Sequence, residues 1–419
     1  KRNMPYYLSM GCIGTAIVVL PAGMSRSAWI AVVVSCAWVY ALYRLDRKQA
    51  ATRLRQHKRW YIIGGILGGI LLLGGSASLY TLKKDSADGR FLMWKITTKA
   101  IQKQPITGTS LGGFPAAYAE TQAEYMASGK ATEQEKLVAG CPEYAFNEYL
   151  QIGLEQGLVG LALFIGWLGL LFYKGIKNKR YACCGGLMSL AIFAFSSYPL
   201  QLPEFWVVLI FLGVMSVTPD KDEIRENQAE SNGHRWGKQI FFMGIAILGI
   251  GLFWMQKDHY KAYQQWNKAQ MFYNNKAYEA ALEVYEPLYP LLKHKPEFLF
   301  EAAQSLSKTG QYEKANEYLE RAVLLSSDPM LYYVMAKNEQ CLGEYRQAEK
   351  HLLHAIDILP ERIYPYYLLM NLYTEPSYFQ PAKLKMAIDS VLTKKPKVES
   401  SAIKEMKEKA RSMLNNTSI

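Results

Sequence analysis

The stretch that decides the fold of the C-terminal half is GQYEKANEYLERAVLLSSDPMLYYVMAKNEQCLG, which runs from Gly310 to Gly343. Its landmarks recur along the chain at a nearly constant interval. The recurring positions are an aromatic one (Tyr278, Tyr312, Tyr345), a small one (Ala281, Ala315, Ala348) and a second small or apolar one (Leu288, Ala322, Ala355). A fixed period of this length predicts helix pairs that stack on one another.

Turn residues mark the ends of these helices. Gly310 and Gly343 fall between paired helices. A proline follows each second helix, at Pro296, Pro329, Pro360 and Pro396. This is the tetratricopeptide pattern, in which small alanines let helices approach closely and tyrosines fill the gap between them. Three repeats are evident, Phe379 and Ala382 predict a fourth, and residues 401–414 predict a capping helix. Such repeats bind segments of other proteins or contact neighbouring subunits. The alternatives are a spacer or a domain that packs on its own membrane part.

The chain before the repeats is strongly apolar. The mean hydropathy of −0.07 averages residues 1–255, which contain long uncharged apolar runs, with residues 257–419, which contain none. Seven runs are predicted to span a membrane as helices: about 5–23, 28–43, 60–80, 158–173, 181–197, 204–217 and 239–255. We therefore expect an all-α protein with a polytopic transmembrane core and a soluble α-solenoid. Because the chain opens with Lys1-Arg2, the sequence leaves open whether further spans precede it.

The net charge of +12 is better explained by membrane orientation than by nucleic-acid binding. The basic residues crowd residues 44–59 and 174–180, next to apolar segments, so both connections are expected in the cytoplasm. Alternation of the spans then places the long loop 81–157 and the repeat domain 258–419 on the opposite side. The polar linker 218–238 returns to the cytoplasm. Residues 1–257 are thus predicted to form the transmembrane domain, and no nucleic-acid partner is expected.

Several kinds of catalytic site find no support in the sequence. The six cysteines, at positions 12, 36, 141, 183, 184 and 341, show no metal-ligand spacing. There is no phosphate-cradling glycine loop, no zinc-type histidine cluster and no nucleophile elbow. We therefore expect neither a metal nor a cofactor.

Two arginines lie close to the predicted bilayer on the side opposite the basic loops. Arg26 lies between two spans and Arg90 follows a span, and the same side carries Glu143, Glu148 and Glu155. A guanidinium group presents a planar fork of donors that suits phosphate oxygens, so a lipid diphosphate is a natural partner. The alternative for each arginine is a side chain that only snorkels to the interface. Residues 91–103 predict an amphipathic helix, at the interface or on an ordinary surface.

Residues from Met24 to Tyr173 resemble the O-antigen ligase and O-antigen polymerase superfamily of polytopic glycosyltransferases. The resemblance is carried, in order, by Ser25-Arg26-Ser27-Ala28-Trp29, Gly89-Arg90 with Trp94, the glycine cluster Pro105 to Phe114, Asn147-Glu148-Tyr149-Leu150-Gln151 and Glu155-Gln156-Gly157-Leu158-Val159-Gly160. In that family an enzyme of the bacterial inner membrane takes a glycan from an undecaprenyl-diphosphate carrier. It passes the glycan to lipid A core, to another glycan or to a protein hydroxyl, on the periplasmic side.

The resemblance implies roles for particular residues. Arg26 and Arg90 would hold the diphosphate leaving group. The expected substrate site is completed by four further residues: Ser25, Trp94, Asn147 and Tyr149. For Asn147 a helix cap, and for Tyr149 core packing, are the alternatives. The family's proposed base is a histidine before the Asn, and Phe146 stands there in this chain.

Phenylalanine cannot accept a proton, so two possibilities remain for acceptor activation. One of the carboxylates Glu143, Glu148 and Glu155 acts as the base, or the good leaving group makes a strong base unnecessary. The predicted activity is metal-independent glycosyl transfer, by an O-antigen ligase or a protein O-oligosaccharyltransferase. A polysaccharide polymerase and a non-enzymatic scaffold that recruits envelope proteins are the alternatives. A transporter is disfavoured because the spans lack charged residues away from their ends.

Overall fold

A computed structural model describes residues 4–22, 25–46, 84–219, 235–396 and 398–416, and the regular elements in these residues are all helical. The prediction of an all-α chain is therefore confirmed for them. Within the described residues, the first nine helices are α1 (Met4–Ala22), α2 (Arg26–Asp46), α3 (Lys84–Lys103), α4 (Phe114–Ala127), α5 (Glu133–Val138), α6 (Glu148–Lys177), α7 (Tyr181–Ala194), α8 (Pro203–Val217) and α9 (Arg235–Met255).

Nine more helices follow in the C-terminal half. They are α10 (Lys257–Asn274), α11 (Tyr278–Leu292), α12 (Pro296–Lys308), α13 (Tyr312–Val323), α14 (Met330–Leu342), α15 (Tyr345–Ile358), α16 (Ile363–Leu372), α17 (Pro381–Thr393) and α18 (Ser401–Asn416). Helices α10 to α17 form four antiparallel pairs, and α18 packs on α17 as the predicted cap. A solenoid of helix pairs is therefore present, as the repeat pattern predicts.

The repeat landmarks occupy equivalent places in the first three pairs. Tyr278, Tyr312 and Tyr345 are each the first residue of the second helix. The small residues three positions later, Ala281, Ala315 and Ala348, are fully buried. Gly310 and Gly343 have φ of 82° and 79°, a conformation that suits glycine at a helix end. The period therefore reflects one packing geometry used three times.

The fourth pair departs from the predicted series. Phe379 is 51% exposed and precedes the helix, and Ala382 is exposed too. Pro376 opens a short 3-10 turn, and α17 begins only at Pro381. The residues that α17 buries are Leu384, Ala387, Ile388 and Val391. The two prolines delay the helix, so the predicted landmarks fail here although the helix pair itself exists.

Membrane-spanning character is supported for part of the predicted core. Within the described residues, Ser27–Arg44 and Glu148–Lys177 are long and apolar enough to cross a membrane. Three shorter apolar helices cover Tyr6–Leu20, Tyr181–Ala194 and Pro203–Val217. The predicted span 60–80 and most of the linker 218–238 lie outside the described residues. Seven spans are therefore not confirmed.

Small residues bring the helices α2, α6, α7 and α8 together. A Cβ on Gly175 of α6 would lie 2.4 Å from Cys184 Sγ of α7, and one on Gly185 would lie 2.4 Å from Val39 Cγ2 of α2. Leu171, Leu187 and Leu209 form a small buried cluster among α6, α7 and α8. Close backbone approach at small residues is typical of helices that pack in a membrane.

The chain divides into two compact units, and the predicted loop 81–157 contributes to both. The first unit draws on Lys1–Ala87, Gln104–Gly108 and Tyr144–Asn232, and the second on Asp88–Lys103, Thr109–Glu143 and Gly233–Ile419. Within the second unit, α4 of the loop packs against α15 of the third repeat. Most of the loop therefore folds with the repeats.

The last apolar helix, α9, leads into the first repeat helix with one residue between them. Gln256 keeps helical backbone angles, φ −80° and ψ −7°. Its amide donates to Phe253 O at 3.1 Å, and its carbonyl accepts from Tyr260 N at 2.9 Å. Backbone hydrogen bonding thus continues from α9 into α10.

Candidate active site

In the first unit, the site is built around a kink in α6 at Gly157. This residue has φ 70° and ψ −178° inside an otherwise helical segment. A Cβ there would lie 2.0 Å from Ile106 O, so the position requires glycine. The amide of the next residue, Leu158, donates to Pro105 O at 2.8 Å. Residues 105 and 106 of the predicted glycine cluster therefore cross α6 at its kink.

A second glycine allows the same crossing. Gly108 has φ 71°, and a Cβ on it would come within 2.5 Å of the carbonyl of Glu155 and the amide of Gly157. Two motifs that are distant in the sequence are thus in direct backbone contact. The crossing places Glu155 in the turn of α6 just before the kink.

Glu155 belongs to a short chain of polar side chains along the start of α6. It is 8% exposed, and its Oε1 accepts a hydrogen bond from Gln151 Nε2 at 3.3 Å. Gln151 Oε1 in turn accepts from the amide of Ala145 at 3.1 Å. The carboxylate is therefore held in place by a neighbour one helical turn earlier, which is itself fixed to the backbone before α6.

Glu148 uses both carboxylate oxygens to hold a neighbouring turn. It is 1% exposed, and its Oε1 accepts from the amide of Leu200 at 2.6 Å. Its Oε2 accepts from Gln201 Nε2 at 3.0 Å. Glu148 therefore ties α6 to the 3-10 turn Pro199–Gln201 through both of its oxygens.

The two polar residues that flank Glu148 also make structural bonds. Asn147 is the N-cap of α6, and its side-chain oxygen accepts from the amide of Leu150 at 3.1 Å. Tyr149 donates its hydroxyl to Ala191 O of α7 at 2.9 Å. The cap and packing alternatives for these residues are therefore both realised, while their role toward a substrate stays a prediction.

Phe146, at the family's histidine position, lies in an aromatic cluster. Its ring meets the Tyr198 ring edge-on at 4.9 Å between centroids, and Tyr144 stacks on the Tyr198 ring at 5.1 Å. Phe146 has φ 49°, which is uncommon for a residue with a side chain. The ring is therefore fixed before the cap of α6 by packing.

Ser25 and Arg26 open α2 in the first unit. The hydroxyl of Ser25 accepts from the amide of Ala28 at 3.4 Å, as at a helix N-cap. Trp29 Nε1 donates to Leu20 O of α1 at 2.8 Å, which ties the two helices across the turn. The side chain of Arg26 lies outside what the structure describes.

Arg90 and Trp94 lie on α3, within the second unit. Trp94 packs edge-on against Phe91 at 6.0 Å. Next to Trp94, Lys95 Nζ donates to Tyr125 OH and to Glu135 Oε1, both at 2.6 Å. The helix predicted over 91–103 is confirmed, with Leu92, Ile96 and Ala100 buried.

Glu135 carries the largest charge effect near α3. Burial alone would raise its pKa, but hydrogen bonds from Lys95, the Thr132 backbone and Tyr125 lower the pKa to about 2. The same pairing with Glu135 and Tyr125 raises the pKa of Lys95. Glu135 is thus a fixed negative charge that holds α3 to α5.

Glu143, the third candidate carboxylate, is exposed in the second unit. It lines a surface cavity of about 760 Å³ with Glu297, Asp328 and Arg362. The predicted site residues therefore divide between the units: Ser25, Arg26, Asn147, Glu148, Tyr149 and Glu155 belong to the first, and Arg90, Trp94 and Glu143 to the second.

Sequence reasoning missed two residues that organise these groups. Gln151 supports Glu155, and its spacing of four residues on one helix face was a usable signal. Gln201 binds Glu148 from 53 residues away, and no local pattern marks that pair.

Two family models match the chain. The model described as O-antigen ligase matches residues 11–165, a range that contains every predicted site residue. The model described as anaphase-promoting complex, cyclosome, subunit 3 matches residues 274–355, which overlap helices α11 to α15. A search of curated proteins returns no match.

Solved structures resemble part of the chain. The crystal structure of MamA is 18% identical, covers 35% of this chain and 84% of its own, and has a TM-score of 0.30. MamA from Desulfovibrio magneticus RS-1 is 16% identical. The match covers 38% of this chain and 78% of the MamA chain, with a TM-score of 0.28. The Yersinia enterocolitica type III secretion chaperone SycD, in complex with a peptide of the translocator YopD, is 16% identical, with 36% and 93% covered and a TM-score of 0.23. Together, the family match and the helix pairs support an O-antigen ligase domain in the N-terminal region and a tetratricopeptide repeat domain in the C-terminal part.

Proposed function

We propose that this chain is a glycosyltransferase of the bacterial inner membrane that moves a glycan from undecaprenyl diphosphate to an acceptor hydroxyl at the periplasmic face. The observation that carries the proposal is the O-antigen ligase match over residues 11–165, which supports ligase-type glycan transfer in general. The donor, the side of the membrane and the acceptor are the finer parts of the proposal.

The reaction is a substitution at the anomeric carbon. The acceptor oxygen forms a bond to that carbon while the bond to the diphosphate oxygen breaks, and the electron pair leaves on the diphosphate. The hydroxyl proton passes to a base, and the polyprenyl diphosphate leaves with one more negative charge. Most of the required stabilisation is electrostatic, at the departing oxygens.

We assign the base role to Glu155 and a positioning role to Glu148. Glu155 lies at the crossing of two family motifs, where Gln151 orients one of its oxygens. Glu148 uses both oxygens to hold the 3-10 turn at Leu200 and Gln201. Because both oxygens of Glu148 hold the turn, Glu148 suits a positioning role.

Arg26 and Arg90 are the proposed ligands of the diphosphate. Both belong to motifs of the matched range; Arg26 opens α2 and Arg90 lies in the N-terminal half of α3. A guanidinium group stays charged and can bind two phosphate oxygens at once. Ser25 and Trp94, close to them in sequence, complete the proposed donor site.

The periplasmic placement is supported by contacts within the second unit. Loop helix α4 packs directly on α15 of the repeats, and the amide of Gln122 in α4 donates to Ile358 O at 2.9 Å. These contacts favour the same side of the membrane for the loop and the repeats. The basic segments 44–59 and 174–180 are expected in the cytoplasm. The loop and the repeats would then lie on the other side of the membrane, in the periplasm.

Arginine variants in cells test the proposal. In a strain lacking the gene, Arg26→Ala and Arg90→Ala are expected to restore less than about 1% of glycan transfer, since each removes charge stabilisation of the leaving group. Arg90→Lys keeps the positive charge but lacks the planar donors of the guanidinium group, so it should restore an intermediate level of glycan transfer. Lipid-linked glycan and glycosylated products are measured by mass spectrometry, with expression checked by immunoblot.

Normal transfer by both alanine variants would exclude a diphosphate-holding role. Unchanged glycans in the deletion strain itself would exclude glycan transfer as the function. In the deletion strain, the glycans of lipopolysaccharide and of envelope proteins are both measured, because they distinguish the two candidate acceptors. Loss from lipopolysaccharide indicates lipid A core as the acceptor, and loss from envelope proteins indicates a protein hydroxyl.

A further inference from the structure

We propose that the third repeat is a dock for the ligase loop, that Gln122 holds the loop there, and that the dock positions the helix bearing Arg90. The dock is defined as α4 on one side and α14 with α15 on the other. The inference rests on the proposed function, in which Arg90 binds the donor diphosphate.

Gln122 is the centre of the dock. Its side chain is fully buried, and its Nε2 donates to Ile358 O of the repeat at 2.9 Å and to Gly140 O of the loop at 3.0 Å. Its Oε1 accepts the hydroxyl of Tyr118 at 2.7 Å. One amide thus joins α4, the loop after α5 and the end of α15, and each of its bonds fixes orientation as well as contact.

The surroundings of Gln122 make the dock specific. Tyr118 is 2% exposed, and burial, with Cys141 nearby, raises the pKa of its hydroxyl, which keeps the donated proton. On the repeat side, Ser327 Oγ donates to Pro142 O at 3.2 Å. At the rim, His354 approaches Glu120 at 3.4 Å.

A second set of contacts leads from the dock to Arg90. Tyr125, three residues after Gln122, accepts from Lys95 Nζ at 2.6 Å, and Glu124 pairs with Lys103 at 2.7 Å. Helix α3 is therefore held to α4 at two points. Arg90 precedes Lys95 by five residues on the same helix, so a shift of α4 moves the backbone that carries Arg90.

This arrangement changes the role expected of the repeats. The part of α15 that α4 covers is occupied by the chain's own loop. A partner protein must then use other repeat surfaces, and the repeat domain contributes to transfer even before any partner binds.

The test uses the purified full-length chain in nanodiscs, with undecaprenyl diphosphate as the binding probe. Gln122→Leu keeps the volume but leaves two carbonyl groups and a hydroxyl without their partner. We expect faster hydrogen exchange in residues 114–127 and about tenfold weaker probe binding. Gln102→Leu, the same substitution at an exposed position of α3, is the matched control and should match wild type in both measurements.

A double-variant cycle separates positioning from general damage. Arg90→Ala alone should weaken probe binding, and Gln122→Leu added to it should weaken binding no further, because both act through the same arginine. Exchange in residues 257–323 reports whether the first two repeats stay folded. If they do not, Tyr118→Phe and Ser327→Ala serve as milder variants, with an expected loss of about threefold.

Three results would overturn the inference while the proposed function stands: unchanged exchange in Gln122→Leu, faster exchange with wild-type binding, or losses that multiply in the double variant. A wild-type chain that does not bind undecaprenyl diphosphate would instead refute the donor assignment, and the positioning role with it.

Discussion

At the residue scale, the first unit separates two buried carboxylates by what surrounds their oxygens. Glu148 is committed to the backbone of Leu200 and to Gln201, whereas Glu155 lies at the kink with support from Gln151. Both were candidates for the same role on sequence grounds. Their surroundings favour different roles, and substitution by glutamine distinguishes the two.

Glu155→Gln is expected to reduce glycan transfer about a hundredfold, because an amide cannot take the acceptor proton. Glu148→Gln should instead lower the free energy of unfolding by about 1–3 kcal/mol, because an amide has one acceptor oxygen where Glu148 uses two. Transfer is measured as glycosylated product in cells, and stability by thermal unfolding of the purified chain. Full transfer in Glu155→Gln would rule out Glu155 as the base.

Gly157 is a second residue at which a small substitution tests the site, because an added Cβ has no room there. Gly157→Ala places a Cβ against Ile106 O in a backbone conformation that alanine avoids, at an expected cost of about 2–4 kcal/mol in the free energy of unfolding. Loss of the crossing should also abolish transfer. Gly166→Ala on the same helix, where a Cβ meets nothing within 4 Å, is the control for thermal unfolding and transfer. Equal stability of the two variants would contradict the packing described here.

At the element scale, the short helix α5 acts as a clamp on α3. Thr132 and Glu135 form a capping box at its start, and the same Glu135 pairs with Lys95 of α3 at 2.6 Å. A helix of less than two turns has little stability of its own. The pairing with α3 therefore matters more to α5 than its own hydrogen bonds do.

The clamp should depend on pH. The pKa of Glu135 in the folded chain, about 2, lies below its ordinary value of 4.5, so its charge stabilises the fold above pH 4.5 and this contribution is lost as pH falls toward 2. Glu135→Gln should lower the unfolding temperature at pH 7, and its difference from wild type should shrink by pH 3. Glu133→Gln, at an exposed ion pair, should change little at either pH. A difference that stays constant with pH would show that Glu135 acts by packing alone.

At the scale of the whole molecule, the sequence predicts the repeats well because their period records local packing. The alanines of the first three pairs are buried at equivalent positions, and the turn glycines of the second and third pairs share one conformation, so the spacing alone suffices to place them. For the fourth pair, the position predicted for Phe379 is wrong, because prolines change where the helix begins. An average period does not record such a local effect.

The site was only partly predictable, for the opposite reason. Its motifs were recognisable, and the four-residue spacing of Gln151 and Glu155 follows from helix geometry. The crossing at Gly157 and the bond from Gln122 to Ile358, 236 residues away, depend on tertiary contacts. No local pattern encodes such pairs, so both the kink and the dock required the structure.

Because a single residue separates α9 from α10, the rotational orientation of the first repeat helix about the helix axis depends on the number of residues between them. Because an α-helix turns by about 100° and rises by about 1.5 Å with each residue, one residue added or removed at Gln256 would rotate the first repeat helix through more than a quarter of a turn. The orientation of the solenoid relative to α9 is thus set by the number of residues at this junction.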